Sequence, residues 1–334
     1  AARLVAESCR RKGLPFHLVL HGGGEPALHR ELLQGALEAV EHSAAQHGLR
    51  LYRYLATNGI MSQEQAAWLG AHFDLVGLSC DGPAEIHDRQ RVNKGGRPSF
   101  RQSMRGYEIL RRYGVSTDVL CVVGSHNAGR PGEVFGFFKS IEAAYVSFLP
   151  LVEKRGEEEG AVRVIPETVP PGAWGDFLCA VFDEWIAGDI GRIKVQIFEE
   201  AARVAFGQEH SLCLFRPVCG GVPVLERNGD LYSCDHFVDE AHRLGNIADG
   251  PLDAMLEGPA QCAFGQAKLS TLPRICLECE VRDMCNGECP KNRFVRTPDG
   301  DPGGNYLCPG YRKFFSHCRP FVEDVAAEWR KRGR

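Results

Sequence analysis

The chain has 334 residues, of which 44% are hydrophobic, which is enough for the core of one large domain or two ordinary ones. Its 39 Lys and Arg residues nearly balance 43 Asp and Glu residues, so the net charge of −4 argues against a general affinity for nucleic acid or membranes. No apolar run is long enough to cross a bilayer, and the first residues do not resemble a secretory signal.

The first 150 residues alternate strand-like apolar runs with helical patterns. After an amphipathic first helix, the strand-like runs lie at 16–22, 49–59, 73–82, 115–124 and 143–151. Helical patterns lie between them at 28–47, 63–72, 99–113 and 131–141. Apolar strands that alternate with helices are typical of parallel sheets. We therefore predict an α/β fold, with which a partial barrel, a full (β/α) barrel and a doubly wound open sheet are all compatible.

The chain changes character after residue 151. A charged segment at 152–172, rich in Pro and Gly, is predicted to be a boundary or a mobile loop, and helical patterns follow at 173–187 and 195–208. From residue 210 the sequence is rich in Gly, Pro and Cys, so we expect it to need inorganic ligands for stability. The predicted division is a barrel-type domain over 1–151, a linker with helices over 152–209, a cysteine-rich domain over 210–320 and a closing helix over 321–334.

Fourteen cysteines are many for a chain of this length. Eight of them fall in the last third: Cys213, Cys219, Cys234, Cys276, Cys279, Cys285, Cys289 and Cys308. Without a secretory signal, metal binding is favoured over disulfides. Eight thiolates complete two four-thiolate sites, which suit either zinc or iron–sulfur clusters. A single Cys-x2-Cys among wide, unequal spacings favours 4Fe–4S clusters over zinc. Several of the other six cysteines lie in apolar runs and are interpreted as buried small hydrophobic residues.

Glycine-rich or polar turns follow three consecutive predicted strands, at 21–26 (HGGGEP), 57–59 (TNG) and 78–83 (LSCDGP). The carboxyl ends of parallel strands share one face, where barrel enzymes build their active sites. Each turn also has a structural explanation, such as a helix start at Pro26 or a turn residue at Asn58. Their common face nevertheless favours a ligand site. The polar residues that follow, from His87 to Arg91, are predicted to form a solvated loop.

Five pieces of the C-terminal third resemble the SPASM domain of radical SAM enzymes, and most closely that of anaerobic sulfatase-maturating enzymes. They are CLFRPVC (213–219), GDLYSCDHF (229–237), LGNI (244–247), CLECEVRDMCNGECPKNRF (276–294) and NYLCPGYRKFF (305–315). The resemblance implies two auxiliary 4Fe–4S clusters. The first would be held by Cys213, Cys219, Cys234 and Cys289, and the second by Cys276, Cys279, Cys285 and Cys308. Cys262 and Cys318 have no implied ligand role and are interpreted as structural.

The N-terminal turns resemble the motifs of a radical SAM barrel, which implies a partial (β/α) barrel of parallel strands. The GGEP motif of that class contacts S-adenosylmethionine, and the implied cofactor-binding residues are Gly23, Gly24, Glu25, Pro26, Asn58, Ser79 and Asp81. The Cys-x3-Cys-x2-Cys loop of the class, which holds a third 4Fe–4S cluster, is not in this sequence. That loop and the first strand are expected before residue 1, which also agrees with the absence of an initiator Met and of a cap on the first helix.

The resemblance implies a radical SAM oxidoreductase that oxidises a Cys or Ser of a sulfatase to formylglycine. In that chemistry a 5′-deoxyadenosyl radical takes a hydrogen atom from the β-carbon, and the substrate then loses an electron and a proton. Asp235 matches the residue assigned as the base in sulfatase maturases, although it could instead accept backbone N–H bonds. A flavodoxin or ferredoxin as electron donor and a cytoplasmic location are also expected.

Two other functions are compatible with the sequence. A radical SAM enzyme that modifies a natural-product precursor peptide would share the same architecture. A non-catalytic protein could retain the barrel and clusters for electron transfer or peptide binding, and a zinc-binding module is a further alternative. Metal analysis of anaerobically purified protein separates the zinc alternative from the others.

Overall fold

The computed structural model describes residues 1–21, 24–158 and 161–333 of the chain. These residues form two compact units. The first unit contains Ala1–Val122 and Glu133–Leu149, and the second contains Val123–Gly132 and the described residues from Pro150 onward. No helix in the three described ranges combines the length and the hydrophobicity that crossing a membrane would require.

The first unit alternates strands and helices along the chain, as predicted. Its strands are β1 (Phe16–Leu20), β2 (Leu51–Thr57), β3 (Leu75–Ser79), β4 (Thr117–Val123) and β5 (Tyr145–Pro150). Its helices are α1 (Ala2–Lys12), α2 (Arg30–Gln46), α3 (Gln63–His72), α4 (Ala84–Gln90), α5 (Phe100–Arg112) and α6 (Pro131–Ser140), with a 3-10 turn at Pro26–Leu28. Strands β1 to β4 pair in parallel in chain order, and β5 takes the next position after β4.

One face of this sheet is covered by helices because its strands place apolar side chains there. Leu55 on β2 and Val76 on β3 are fully buried. They belong to one cluster with Leu37 of α2, Leu69 of α3 and Leu110 of α5. Since successive strand residues point to opposite faces, the same strands leave their other side chains for the opposite face. The sheet can therefore be buried on one side while it carries polar groups on the other.

The polar segment after β3 is not the solvated loop that the sequence indicates. Residues Ala84–Gln90 form α4, and His87 within it is fully buried. The Asp88 Oδ1 atom accepts hydrogen bonds from the backbone N–H groups of Ser99, at 2.9 Å, and Phe100, at 2.8 Å. These bonds satisfy N–H groups that would otherwise lack partners at the start of α5. The polar residues of the segment thus serve the fold, which their composition alone does not reveal.

The second unit contains short strands and seven helices among its described residues. The strands are β6 (Lys154–Glu158), β7 (Ala161–Val164), β8 (Lys194–Val195), β9 (Val224–Leu225), β10 (Asp230–Tyr232) and β11 (Arg243–Asn246). The helices are α7 (Pro171–Gly188), α8 (Gln196–Ala205), α9 (Leu252–Leu256), α10 (Pro259–Ser270), α11 (Arg274–Leu277), α12 (Arg282–Cys285) and α13 (Cys308–Arg332). Strands β9, β10 and β11 form an antiparallel sheet with β10 in the middle.

The charged segment at 152–172 contains strands β6 and β7, which form an antiparallel pair rather than a mobile loop. Their register places Lys154 opposite Val164 and Gly156 opposite Arg163. The sequence Val-Arg-Val at 162–164 alternates with the period of two that is typical of a strand. The surrounding Gly, Pro and charged residues obscure this short pattern.

The closing helix begins at Cys308 instead of residue 321 and continues through Pro320 for 25 residues. A buried stripe at helical spacing explains the longer helix. Its members include Tyr311, Phe314, Phe315, Cys318 and Val322. The ring of Phe314 lies 6.1 Å from that of Phe182 on α7 and 5.5 Å from that of Phe198 on α8. Pro320 is a reasonable helix start by local preference, but aromatic packing before it extends the helix.

Candidate functional site

Glu25 connects the carboxyl ends of the first two strands. Its Oε1 atom accepts a hydrogen bond from Thr57 Oγ1 at 2.6 Å, and its Oε2 atom accepts one from the backbone N–H of Asn58 at 2.8 Å. The backbone N–H of Ala27 adds a third bond at 3.3 Å. A carboxylate has about four acceptor positions, so about one remains for a cationic donor on a ligand. Glu25 is half-buried, Gly24 is exposed, and the predicted ligand residue Gly23 lies outside the described residues.

The turn that carries Asn58 is held tightly. The Asn58 Oδ1 atom accepts a hydrogen bond from the backbone N–H of Ile60 at 2.8 Å, and its carbonyl accepts one from Ser103 Oγ at 2.7 Å. Gly59 has a φ of 76°, which favours glycine, and a Cβ on Gly106 of α5 would lie 1.9 Å from the Gly59 carbonyl oxygen. The two glycines therefore let α5 support the turn at van der Waals contact.

The Asp81 carboxylate is buried and hydrogen-bonded to other groups of the first unit. It is 2% exposed and forms a two-point ion pair with Arg91, with distances of 2.6 and 3.0 Å. The backbone N–H of Val122 on β4 donates a further hydrogen bond at 2.9 Å. Ser79 and Pro26, by contrast, are half-buried. The structure thus explains Asp81 as a buried anchor of the turn, and direct contact with a cofactor stays a prediction for all of these residues.

In the first predicted set of four cysteines, the charges of some thiols raise the pKa of others. Burial raises the pKa of Cys213, and the charge of Cys219 adds to the increase. Burial raises the pKa of Cys234 to about 12, with a smaller contribution from Cys213. It raises that of Cys289 to about 12 as well, with contributions from Cys219 and Cys234. Such charge effects weaken with distance, so they are compatible with four thiols that lie near one another in the second unit.

The second predicted set behaves in the same way. Burial raises the pKa of Cys308 to about 11, and the charges of Cys276 and Cys279 add to it. Burial also raises the pKa of Cys285, with contributions from Cys308 and Cys276. Thiols of each set thus influence the pKa of others in the same set, and the assignment of each thiol to a cluster stays a prediction. No three Cys, His, Asp or Glu side chains in the described part of the chain are arranged to hold a single metal ion.

Asp235 lies beside the first set. The Cys234 thiol donates to Asp235 Oδ1 at 3.2 Å, and the Asp235 side chain is half-buried, whereas the next residue, His236, is exposed. This geometry places a carboxylate oxygen against a predicted cluster ligand at the edge of the group. It is compatible with a base that receives a proton near the first set, and the role stays a prediction.

Two cations near the thiols, the buried Lys268 and the half-buried Arg293, are absent from the sequence-based prediction. Lys268 on α10 is 1% exposed, and the Arg293 guanidinium donates to the backbone carbonyls of Asn286, Gly287 and Glu288. These carbonyls belong to the segment between Cys285 and Cys289. Lys and Arg side chains lie mostly on protein surfaces, so the residue type alone gives no signal of burial.

The cysteines outside the two sets have mixed environments. Cys80, Cys121, Cys179 and Cys318 are buried, which confirms their interpretation as small hydrophobic residues. Cys262 is exposed on α10, so a role in packing is not supported for it. Helix α10 directs a different face inward, and Cys262 lies on the outward face.

Three comparisons relate the chain to known proteins. A family described as "SPASM: Iron-sulfur cluster-binding domain" matches residues 220–280. The serine-type anaerobic sulfatase-maturating enzyme of Bacteroides thetaiotaomicron is 37% identical over 341 residues, which cover 98% of this chain and 81% of that protein. The serine-type enzyme of Klebsiella aerogenes is 31% identical, with 91% and 73% coverage. The cysteine-type enzyme of Clostridium perfringens is 29% identical, with 91% and 82% coverage.

Solved structures share the fold. Native anSMEcpe with bound AdoMet and Cp18Cys peptide is 27% identical and superposes with a TM-score of 0.86 over 98% of this chain and 90% of that chain. Streptococcus suis SuiB bound to S-adenosylmethionine is 14% identical, with a TM-score of 0.58 over 92% of this chain and 69% of that chain. At that identity the second likeness concerns the fold alone.

Proposed function

The chain belongs to the family of anaerobic sulfatase-maturating enzymes, which are radical SAM enzymes with a SPASM domain, and from this premise we propose that it oxidises a sulfatase side chain to formylglycine. Membership in the family confirms the predicted family and fold class, an α/β partial barrel followed by a SPASM domain. The observation that carries the proposal is 37% identity to a sulfatase-maturating enzyme over 98% of this chain.

We further propose a serine as the modified residue. The identity is 37%, 31% and 30% to three serine-type relatives, compared with 30%, 29% and 24% to three cysteine-type relatives. The assay that follows therefore uses a matched pair of sulfatase-derived peptides that differ only in Ser or Cys at the modified position. A faster reaction with the Ser peptide supports the serine assignment, and a faster reaction with the Cys peptide contradicts it while leaving the family activity intact.

The chain contains an iron–sulfur cluster-binding domain. The finer assignment that we propose is two 4Fe–4S clusters, one on Cys213, Cys219, Cys234 and Cys289, the other on Cys276, Cys279, Cys285 and Cys308. The donor set supports it, since seven of the eight cysteines are half-buried and the charges of thiols within each proposed group influence one another. When bound, the clusters and S-adenosylmethionine supply one-electron transfer and hydrogen-atom abstraction. A flavodoxin or ferredoxin in the cytoplasm would be a suitable electron donor.

The residues of the chain have separate tasks in this proposal. Glu25 keeps about one acceptor position, which suits the ammonium group of S-adenosylmethionine. Its bonds to Thr57 and Asn58 fix the carboxylate, so the position is set before a ligand arrives. Asp235, half-buried beside Cys234, receives the proton that the oxidised side chain releases. Neutral thiols at these positions must lose protons to bind iron, so cluster assembly is expected to weaken as the pH falls.

Replacement of Asp235 by Asn tests the proposal. Formylglycine formation should fall by about 10²–10⁴-fold, the usual contribution of a positioned base, while cleavage of S-adenosylmethionine continues. Asp249→Asn is the matched control because Asp249 is exposed in the same domain. Unchanged product formation in Asp235→Asn would contradict the role of Asp235. Failure of the unmodified protein to convert either peptide would contradict the function itself.

A further inference from the structure

We propose that helix α10 holds the backbone segments that carry the first set of four cysteines. Within this helix, we propose that Lys268 is a positioning residue for the first cluster. The inference rests on the proposed function, because it concerns the residues that would hold the first cluster. Helix α10 lies at Pro259–Ser270, between the ligand segments of the domain in sequence. Its inward face consists of Gln261, Gly265 and Lys268, all buried, at the i, i+4 and i+7 spacing of one helix face.

Gln261 connects two ligand segments. Its Nε2 atom donates to the carbonyl of Gly220 at 2.9 Å and to that of Ser233 at 3.3 Å. Gly220 directly follows Cys219, and Ser233 directly precedes Cys234. Gln261 is 3% exposed, so these bonds are formed away from solvent. One side chain thus fixes the separation of two predicted ligands of the same set.

Gly265 supports the Cys219 segment through its backbone. Its carbonyl accepts a hydrogen bond from the Cys219 N–H at 3.1 Å. A Cβ at this position would lie 2.8 Å from the Cys219 carbonyl oxygen, which is closer than a real Cβ contact. A glycine is therefore required for α10 to approach the ligand segment this closely.

Lys268 secures the third segment. Its Nζ atom donates to the carbonyls of Cys213 at 2.9 Å and Leu214 at 2.7 Å. A buried ammonium is costly unless negative charge lies near it, and both of these partners are neutral. The buried Glu288 carboxylate is one negatively charged neighbour of Lys268, and the thiolates of Cys219 and Cys289 in an iron–sulfur cluster would add further negative charge. The position of Lys268 therefore favours an anionic cluster held on the Cys213 side of α10.

Arg293 connects the fourth segment to the same helix. Its Nη1 atom donates to the Lys268 carbonyl at 2.6 Å, while Nη2 donates to the Glu288 carbonyl at 3.1 Å, directly before Cys289. Its Nη2 atom also reaches the Asn286 carbonyl, directly after Cys285 of the second set. Arg293 therefore serves both sets, whereas the bonds of Gln261 and Lys268 serve the first alone. Gln261 and Lys268 are therefore both expected to affect the first set selectively, and of these two side chains only Lys268 carries a charge.

Lys268 has two consequences for the first cluster. Its hydrogen bonds fix the backbone of one ligand, and its positive charge favours the reduced, more negative state of a nearby cluster. Removal of the ammonium should therefore weaken assembly of one cluster or lower its reduction potential. The second cluster should keep its properties, because the other ligand segments do not depend on the Lys268 side chain.

The test compares the unmodified chain with Lys268→Met, Lys268→Arg and the exposed control Lys331→Met, each reconstituted anaerobically with iron and sulfide. The readouts are iron and acid-labile sulfide per chain, and a redox titration followed by electron paramagnetic resonance. We expect Lys268→Met to lose about half of the iron, or to shift one of two reduction equilibria about tenfold, which is about 59 mV for one electron. Lys268→Arg should recover most of the loss, and the control should match the unmodified chain.

Several results would overturn the inference. Iron content and both potentials could be unchanged in Lys268→Met, or both clusters could be affected equally. If Lys268→Met folds poorly, Gln261→Leu keeps the test decisive, because it removes the bonds to the carbonyls of Gly220 and Ser233 without removing a charge. It should lower the occupancy of the same single cluster, and equal loss of both would refute the role of α10. An unmodified chain that binds no iron would instead contradict the proposed function.

Discussion

Asp118 on β4 provides a pH-dependent test of the first unit. The side chain is 5% exposed and lies within hydrogen-bond reach of Ser147 Oγ on β5, at 3.3 Å from each carboxylate oxygen. Burial raises its pKa from 3.8 to about 7, and the Ser147 bond opposes that increase only in part. The nearby Tyr54 on β2 is half-buried, and burial together with the charge of Asp118 raises its pKa. The carboxyl group is therefore protonated more readily in the folded chain than in the unfolded chain.

The difference between the folded and unfolded pKa values of Asp118 determines how its contribution to stability changes with pH. A group with a raised folded pKa contributes stability that is complete below its unfolded pKa and is lost as the pH rises through the folded value. Here the loss is spread between pH 3.8 and about 7. At about pH 6, one unit below the folded pKa, the remaining contribution is about 1.4 kcal/mol, and at about pH 8.5 it is close to zero.

Asp118→Asn removes the titration while it keeps the shape of the side chain and a hydrogen bond to Ser147. Urea unfolding should show that the variant gains about 1.4 kcal/mol relative to the unmodified chain between about pH 6 and pH 8.5. Asp74→Asn is a suitable control, because the ion pair with Arg53 lowers the pKa of Asp74 and keeps it charged throughout this range. A pH-independent difference between Asp118→Asn and the unmodified chain would refute the assignment of a buried, protonated carboxyl group.

Other substitutions test the turns at the strand ends. Gly106→Ala should destabilise the chain by about 1–3 kcal/mol in urea unfolding, because its Cβ would lie 1.9 Å from the Gly59 carbonyl oxygen. Gly136→Ala on α6, where a Cβ would meet nothing within 4 Å, should leave the stability unchanged or increase it. A similar loss of stability in both variants would show that the contact with the Gly59 carbonyl oxygen is not the cause. Arg91→Met should cost about 3–5 kcal/mol because it leaves the Asp81 carboxylate buried without its cation. Arg91→Lys should retain part of that stability, and equal losses would show that the charge of Arg91 is unimportant.

The strands of the first unit could be predicted because their sequence pattern has a single physical cause. Apolar residues such as Leu55 and Val76 recur where one face of the sheet meets helices. This pattern lies within each strand, so it predicts the strand without knowledge of the elements packed around it. Helix α4 could not be predicted in this way. His87 is buried by hydrogen bonding and aromatic contact, and Asp88 acts as a cap for α5, so both appear in the sequence as solvated polar residues.

Some residues of the candidate site could likewise be predicted from the sequence, and others could not. The spacing of the eight cysteines predicts metal ligands, because the thiolate itself is the ligand and the sequence shows where each cysteine lies. The turn residues Glu25 and Asn58 are visible for the same reason. Asp81 illustrates what residue type cannot decide, since a carboxylate after a strand is equally compatible with a ligand contact and a buried ion pair. The position of Arg91, ten residues later, shows the buried ion pair, which the sequence alone does not reveal.

Helix α10 is invisible to hydrophobic periodicity because its buried face is polar. The buried residues are Gln261, Gly265 and Lys268, while Cys262, Ala263 and Gln266 between them are exposed. A helix usually buries apolar side chains against other side chains, but this helix faces backbone carbonyls of the cysteine-bearing loops, which require donors. Irregular loops around a metal centre leave many carbonyls without partners in a sheet or helix. A stripe of donors and glycine at helical spacing, placed between cysteine segments, is therefore the pattern by which such a helix could be predicted in other iron–sulfur domains.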